Sequence, residues 1–187
     1  LQTAASGEAR FDHDPVTGES KGLLVEEART NLATDSENIA GSEFVKSRVT
    51  VTSNQATAPD GTQTADLMVS TNVYGLHQVY DQIAFSTGAV TLSAFVKLVG
   101  AQTHVRVNMS DNTTGNVYAT FDLSTGTLDS ATVTGSWSNP AGSISDAGNG
   151  WYRVSVSATK GAGSVILAAI DMVTSSGSGN FTGDGWS

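Results

Sequence analysis

There is no cysteine in the 187 residues, so disulfides and thiolate metal sites are excluded. Proline is also scarce, at three residues against twenty glycines, which indicates many tight turns rather than a Pro-rich or collagen-like tract. Aromatic residues make up 7% and charged residues 14%, the latter well below the usual quarter. Ser, Thr, Asn and Gly fill the gap, as in β-proteins whose exposed strand positions carry hydroxyls. Basic residues number nine against eighteen acidic ones, a net charge of −9. Such a surface repels phosphate backbones and anionic lipid, so neither nucleic acid nor membrane is an expected partner. No apolar run reaches the roughly 18 residues of a membrane helix, and the best one, from Val165 to Val173, contains Asp171. No basic stretch followed by an apolar one opens the chain, so no signal peptide is expected. Leu1 is not an initiator methionine, and the chain is expected to be a processed or trimmed piece.

What is present is a period of two. Val90 to Val99 alternates, with Leu92, Ala94, Val96 and Leu98 on one face and Thr91, Ser93, Phe95 and Lys97 on the other. Val105, Val107 and Met109 alternate with His104, Arg106 and Asn108. Strands are also expected at Val45–Val51, Ala65–Val69, Gly75–Ile83, Tyr118–Leu123, Trp151–Val156 and Ser164–Val173. Turn signals such as Pro59-Asp60-Gly61 and Ser124-Thr125-Gly126 separate them. A short helix is conceivable only around Glu26–Leu32, where no apolar stripe persists. A core of this size removes roughly 70% of the unfolded surface from water without staples. The expected fold is all-β, a two-sheet antiparallel sandwich of the jelly-roll type. Residues 1–22 are expected to form an N-terminal arm or linker, and 23–187 the sandwich.

Three segments carry a resemblance. Residues 10–32 read Arg-Phe-Asp-His-Asp-Pro-Val-Thr-Gly-Glu-Ser-Lys-Gly-Leu-Leu-Val-Glu-Glu-Ala-Arg-Thr-Asn-Leu. Thr91-Leu-Ser-Ala-Phe-Val-Lys97 and Gly150-Trp-Tyr-Arg-Val-Ser155 follow in order, with Phe121-Asp-Leu-Ser-Thr-Gly126 between them. Together they resemble a module of tailed-phage virion proteins similar in fold to carbohydrate-binding jelly rolls. The resemblance implies a virion-surface, non-catalytic protein of a tail fibre or head decoration. Its implied partners are other virion proteins and host-surface polysaccharide, and its implied state is a homo-oligomer, with a trimer favoured. In that family a sequence like Gly183-Asp-Gly-Trp-Ser187 leads into one more strand, so the sandwich is expected to lack its last strand, with a strand beginning near Trp186.

Two other readings stay open: a purely structural decorating or fibre-building domain, and a polysaccharide-acting enzyme module. The enzyme reading lacks a signature. Glu26 and Glu27 are adjacent and point to opposite faces of a strand, no Gly-x-Ser-x-Gly elbow occurs, and His13, His77 and His104 form no triad or zinc pattern. No catalytic residue and no cofactor are expected. A structural calcium is compatible with the fold; Asp12, Asp14 and Asp111 are oxygen donors in loops, but no EF-hand spacing occurs and no ligand is assigned. Glycan binding needs aromatic faces beside planar polar groups. The candidates are Tyr74, His77 and Tyr80 on one strand, Arg106 and Asn108 on the polar face of another, and Trp137, expected exposed in a loop between Ser136 and Ser138. Trp151 and Tyr152 are expected to pack the sheet edge. Arg29 and Asn31 are read as structural, clamping the incoming segment and bonding a local turn.

Overall fold

The computed structural model describes residues 11–13, 20–23, 30–113, 115–175 and 177–185; for the first two segments it gives backbone only. The chain divides into two compact units, residues 1–32 and 33–187. In the first, β1 (Phe11–His13) pairs antiparallel with β2 (Ser20–Leu23), Phe11 opposite Leu23. The possible helix at Glu26–Leu32 and the strand at Trp186 fall largely outside the described residues.

The second unit is all-β, with every strand pair antiparallel and no helix among the described residues. Its strands are β3 (Val45–Ser47), β4 (Val49–Ala56), β5 (Ala65–Ser70), β6 (Tyr74–Ala84), β7 (Gly88–Lys97) and β8 (His104–Ser110). There follow β9 (Asn116–Asp122), β10 (Thr127–Val133), β11 (Trp137–Gly148), β12 (Trp151–Lys160), β13 (Val165–Val173) and β14 (Asn180–Thr182). The largest sheet runs β10-β9-β8-β13-β6-β14, with β3 also paired to β6. A three-stranded sheet runs β11-β12-β7, and β4 and β5 form a separate hairpin.

Alternation explains the core. On β8 the side chains of Val105, Val107 and Met109 are buried, on β9 those of Val117, Ala119 and Phe121, and on β12 those of Val154, Val156 and Ala158. They join Trp137 and Ile166 in one cluster, against which the inward row of β7, from Val90 through Val96, is packed half-buried, with Leu98 just beyond it. The opposite row of β7 points outward, leaving Phe95 51% exposed, as the alternation requires. Gly142 lets β11 come close to this cluster, since a Cβ there would lie 3.1 Å from Ala119 Cβ. A smaller cluster joins Val49, Val79 and Met172 with Phe44, Val51, Met68 and Phe181.

The expected strand at Val45–Val51 is two strands. Arg48 takes a positive φ of 54° between β3 and β4, and β3 pairs with β6 while β4 pairs with β5. Five strands have no counterpart in the pattern reading: β1, β2, β10, β11 and β14.

Val107 is fully buried, opposite Ile170 on one side and Ala119 on the other. Val107→Asp places an unpaired carboxylate in that cluster and is expected to cost more than about 4 kcal/mol. Loss of the cooperative urea transition checks it; a folded, soluble variant would mean the register is wrong.

Candidate binding face

The face of the largest sheet turned away from the core is built by the same alternation. Residues directly opposite each other in antiparallel strands share a face. One cross-strand row is Gln78, Asp171, Arg106 and Thr120, and the next is Tyr80, Ala169, Asn108 and Tyr118. Three of the six sequence candidates, Tyr80, Arg106 and Asn108, thus stand on one surface. Tyr118 and Asp171 join them and were not foreseen. Tyr80 and Tyr118 lie three strands apart, about 14 Å at the usual strand spacing.

The centre of this face is an ion pair. Arg106 Nε donates to Asp171 Oδ2 at 2.7 Å, and the guanidinium lies 5.0 Å above the centroid of the Tyr118 ring. Gly179 closes over it: a Cβ there would lie 2.6 Å from an Arg106 terminal nitrogen. Asp171 is fully buried while the Arg106 side chain keeps 14% exposure. Burial pushes the Asp171 carboxyl above its ordinary value, opposed by the Arg106 charge, by the Arg106 hydrogen bond and, least, by Asn108. Asn108 is thus close enough to pull on the carboxyl, yet Asp171 Oδ1 and Asn108 Oδ1 have no hydrogen-bond partner. Each of these buried acceptors is polar capacity that the described residues do not use.

At the rim of the same face, His104 Nε2 lies 3.6 Å from Asp129 and 3.9 Å from Asp122, while its Nδ1 is 2.7 Å from Thr103 Oγ1. The Asp122 carboxyl is held below its ordinary value, chiefly by the hydroxyl of Ser124. Among the described residues no group of three His, Asp or Glu is placed to hold a metal ion. Of the calcium candidates, Asp14 and the side chain of Asp12 lie outside the described residues. Asp111 Oδ1 accepts from the N–H groups of Thr113 and Gly115, and Oδ2 from Ser136 Oγ.

Three candidates lie elsewhere. Tyr74 is 69% exposed but opens β6, six residues from Tyr80 and about 20 Å along the strand. His77 is fully buried on the core side of β6. Its ring stacks on Phe181 at 4.3 Å and its Nε2 lies 3.1 Å from the Thr71 carbonyl, so it has no face for a ligand. Trp137 is not an exposed loop residue. It opens β11 opposite Lys160 and is 4% exposed in the main cluster, its Nε1 without a partner. The flanking serines misled because β11 is bulged between Ser138 and Ala141, where Asn139 has φ 54° and Pro140 follows. Trp151 is buried at the end of β12, its Nε1 donating to the Thr57 carbonyl at 3.0 Å, and Tyr152 packs against the core. Arg29 lies outside the described residues.

No family model and no curated protein sequence matches the chain.

Removing one partner of a buried pair leaves the other charge uncompensated. Arg106→Met is therefore expected to cost about 3–5 kcal/mol at pH 8, while Arg106→Met with Asp171→Leu is nearly neutral. The sign of the pH effect follows from the raised carboxyl. The folded chain holds this proton more tightly than the unfolded one, so stability is highest below the ordinary carboxylate range. It falls as pH rises from there through the folded value. Arg106→Met should steepen that fall, and urea titrations across pH 4 to 8 measure it.

Proposed function

We propose that this chain is a non-catalytic virion-surface module, a jelly-roll β-sandwich that contacts host-surface glycan through the outer face of its largest sheet. The observation that carries the reading is the alignment of Tyr80, Asn108 and Tyr118 in one row beside Arg106 in the next. Two half-buried aromatic rings flank a planar amide and an oriented guanidinium, the combination that sugar C–H faces and hydroxyls select. The resemblance of residues 10–32 to a tailed-phage virion module supports the location and the sandwich type. The packing of β7 and β12 against β8, β9 and β13 in one cluster is what a two-sheet sandwich needs. A homo-oligomer, with a trimer favoured, belongs to the same reading.

A purely structural decorating or fibre role is the second reading. It draws on the depth of burial at the centre of the face, where Asp171 is fully buried and Ala169 and Thr120 are 3% exposed. The polysaccharide-enzyme reading draws less. Sugar hydrolysis takes two carboxyls flanking one bond, and the carboxylate at the centre of this face is tied to Arg106.

Binding to an array of bacterial surface polysaccharides separates the two leading readings. Tyr80→Ala is expected to weaken glycan binding by about 1–3 kcal/mol with little change in Tm, the signature of an anchor ring rather than a core one. The absence of any glycan binding by the intact chain, or equal losses of binding and stability, sinks the glycan reading and leaves the structural one.

A further inference from the structure

The three-stranded sheet β11-β12-β7 has an outer face of its own, turned away from the main cluster. Alternation puts Thr91, Ser93, Phe95 and Lys97 of β7 on it, because the residues between them are the ones packed inward. Directly opposite residues share a face, so Arg153 and Ser145 stand in a row with Phe95, and Ser155 and Ser143 in a row with Ser93. Neither row contains a carboxylate. The Phe95 ring is half exposed in the middle of its strand, and Arg153 and Lys97 are exposed beside it. Arg153 Nη2 donates to Ser93 Oγ at 3.2 Å, which draws the guanidinium to the Ser93 side of Phe95. Lys97 stands on the other side, two residues further along β7. An open aromatic ring is thus flanked by two cations. Among the described residues neither cation has a carboxylate within ion-pair distance, in a chain with eighteen acidic residues against nine basic ones.

We propose that this face binds an acidic oligosaccharide, a short chain of uronic acids. A sugar ring lies with its C–H face on Phe95, and its carboxylates reach Arg153 and Lys97. Arg153 spends one N–H group on Ser93 and offers the rest as a fork to a carboxylate, while Lys97 acts as a point charge. The hydroxyls of Ser143 and Ser145 make no side-chain bond among the described residues and are free for sugar hydroxyls. From Ser93 to Lys97 the face runs four residue steps, about 13 Å, which is room for more than one ring. Charge selects an anion, and the remaining chemistry selects a sugar. An acidic peptide binds by adding to a strand edge or by filling an apolar groove, and this is a sheet face with one large apolar side chain among small hydroxyls. The net charge of −9 does not cancel the pair. In physiological salt screening acts over about 8 Å, so the nearest charges decide the local field. The site goes beyond the glycan reading above and stands without it, because the face that carries Tyr80 and Tyr118 belongs to the other sheet.

The test titrates the chain with the trisaccharides of galacturonate, glucuronate and mannuronate, read by calorimetry and by amide NMR shifts. Binding of at least one is expected, with the shifts centred on residues 93–97 and 153–155. Phe95→Ala and Arg153→Gln should each weaken it by about tenfold or more, the loss of an anchor side chain, with Tm unchanged because both side chains are exposed. Methyl esters of the same trisaccharide, which keep the rings and lose the charge, should bind about tenfold more weakly. Triglutamate, which keeps the charge and lacks the rings, should do the same. If Phe95→Ala does not fold, the ester and triglutamate carry the distinction between ring and charge. Binding of none of the three trisaccharides overturns the proposal. Triglutamate binding as tightly as the best sugar also overturns it, since the face would then take an acidic peptide. So do shifts confined to β8 and β9, which would put the acid on the largest sheet.

Discussion

Everything in the second unit depends on the register of β8 between β9 and β13. Side chains alternate along a strand with a period of two, so a slip by one residue exchanges the faces completely. In the observed register Val105, Val107 and Met109 go to the core, and His104, Arg106, Asn108 and Ser110 to the other side. Slipped by one, β8 would lose three buried apolar side chains and drive an arginine, an asparagine and a histidine into the cluster around Phe121 and Val156. Full burial of an apolar side chain contributes about 1.5–3 kcal/mol, and stranding polar groups costs at least as much in the opposite direction. The core and the polar face therefore are one decision: the sequence pattern that builds the first places the second.

Asp171 shows what that decision costs. It lies in the most apolar run of the chain, between Ile170 and Met172, and alternation sends it to the face opposite theirs. There it is buried, and the Arg106 guanidinium, itself set over Tyr118, is its chief compensation, with Asn108 adding less. A hydrophobic residue would serve folding as well at such a position. Retaining a buried carboxylate fixes the direction of one guanidinium on a sheet surface.

How far the sequence discloses this structure depends on how cleanly each strand alternates. β5 through β9, β12 and β13 are legible because their apolar residues recur at every second position or in one dense run. β10 carries Leu128-Asp-Ser-Ala-Thr-Val133, with a register shift between Leu128 and Ser130 that breaks the period. β11 hides behind the bulge at Asn139-Pro140, which also conceals the burial of Trp137. β14, at three residues, is set by pairing with β6 and by the stacking of Phe181 on His77, a contact between positions over a hundred residues apart. For the face, Arg106 and Asn108 could be read from the alternation of β8, and Tyr80 from that of β6. The parity of each strand was visible, but which strands are neighbours was not. Tyr118 and Asp171 entered only through the pairings of β8 with β9 and β13.

The two sheets also differ in how completely they answer their own hydrogen-bonding needs. In the largest sheet the interior strands β9, β8, β13 and β6 are paired on both sides, and even the short β3 and β14 add to β6. The other side of the core is in two pieces, and the strand nearest the division, β7, has its inward apolar row incompletely covered. Edge strands in native sheets are commonly guarded by charge, proline or brevity. β11 follows that rule, with Pro140 in its bulge. β7 does not: it is ten residues long, contains no proline, and carries a single charge, at Lys97. A long unguarded edge is a liability when it stays open. The contrast with β11, the other edge of the same three-stranded sheet, is one of continuity: a bulge and a proline interrupt β11, whereas β7 pairs with β12 without a register shift over its whole length.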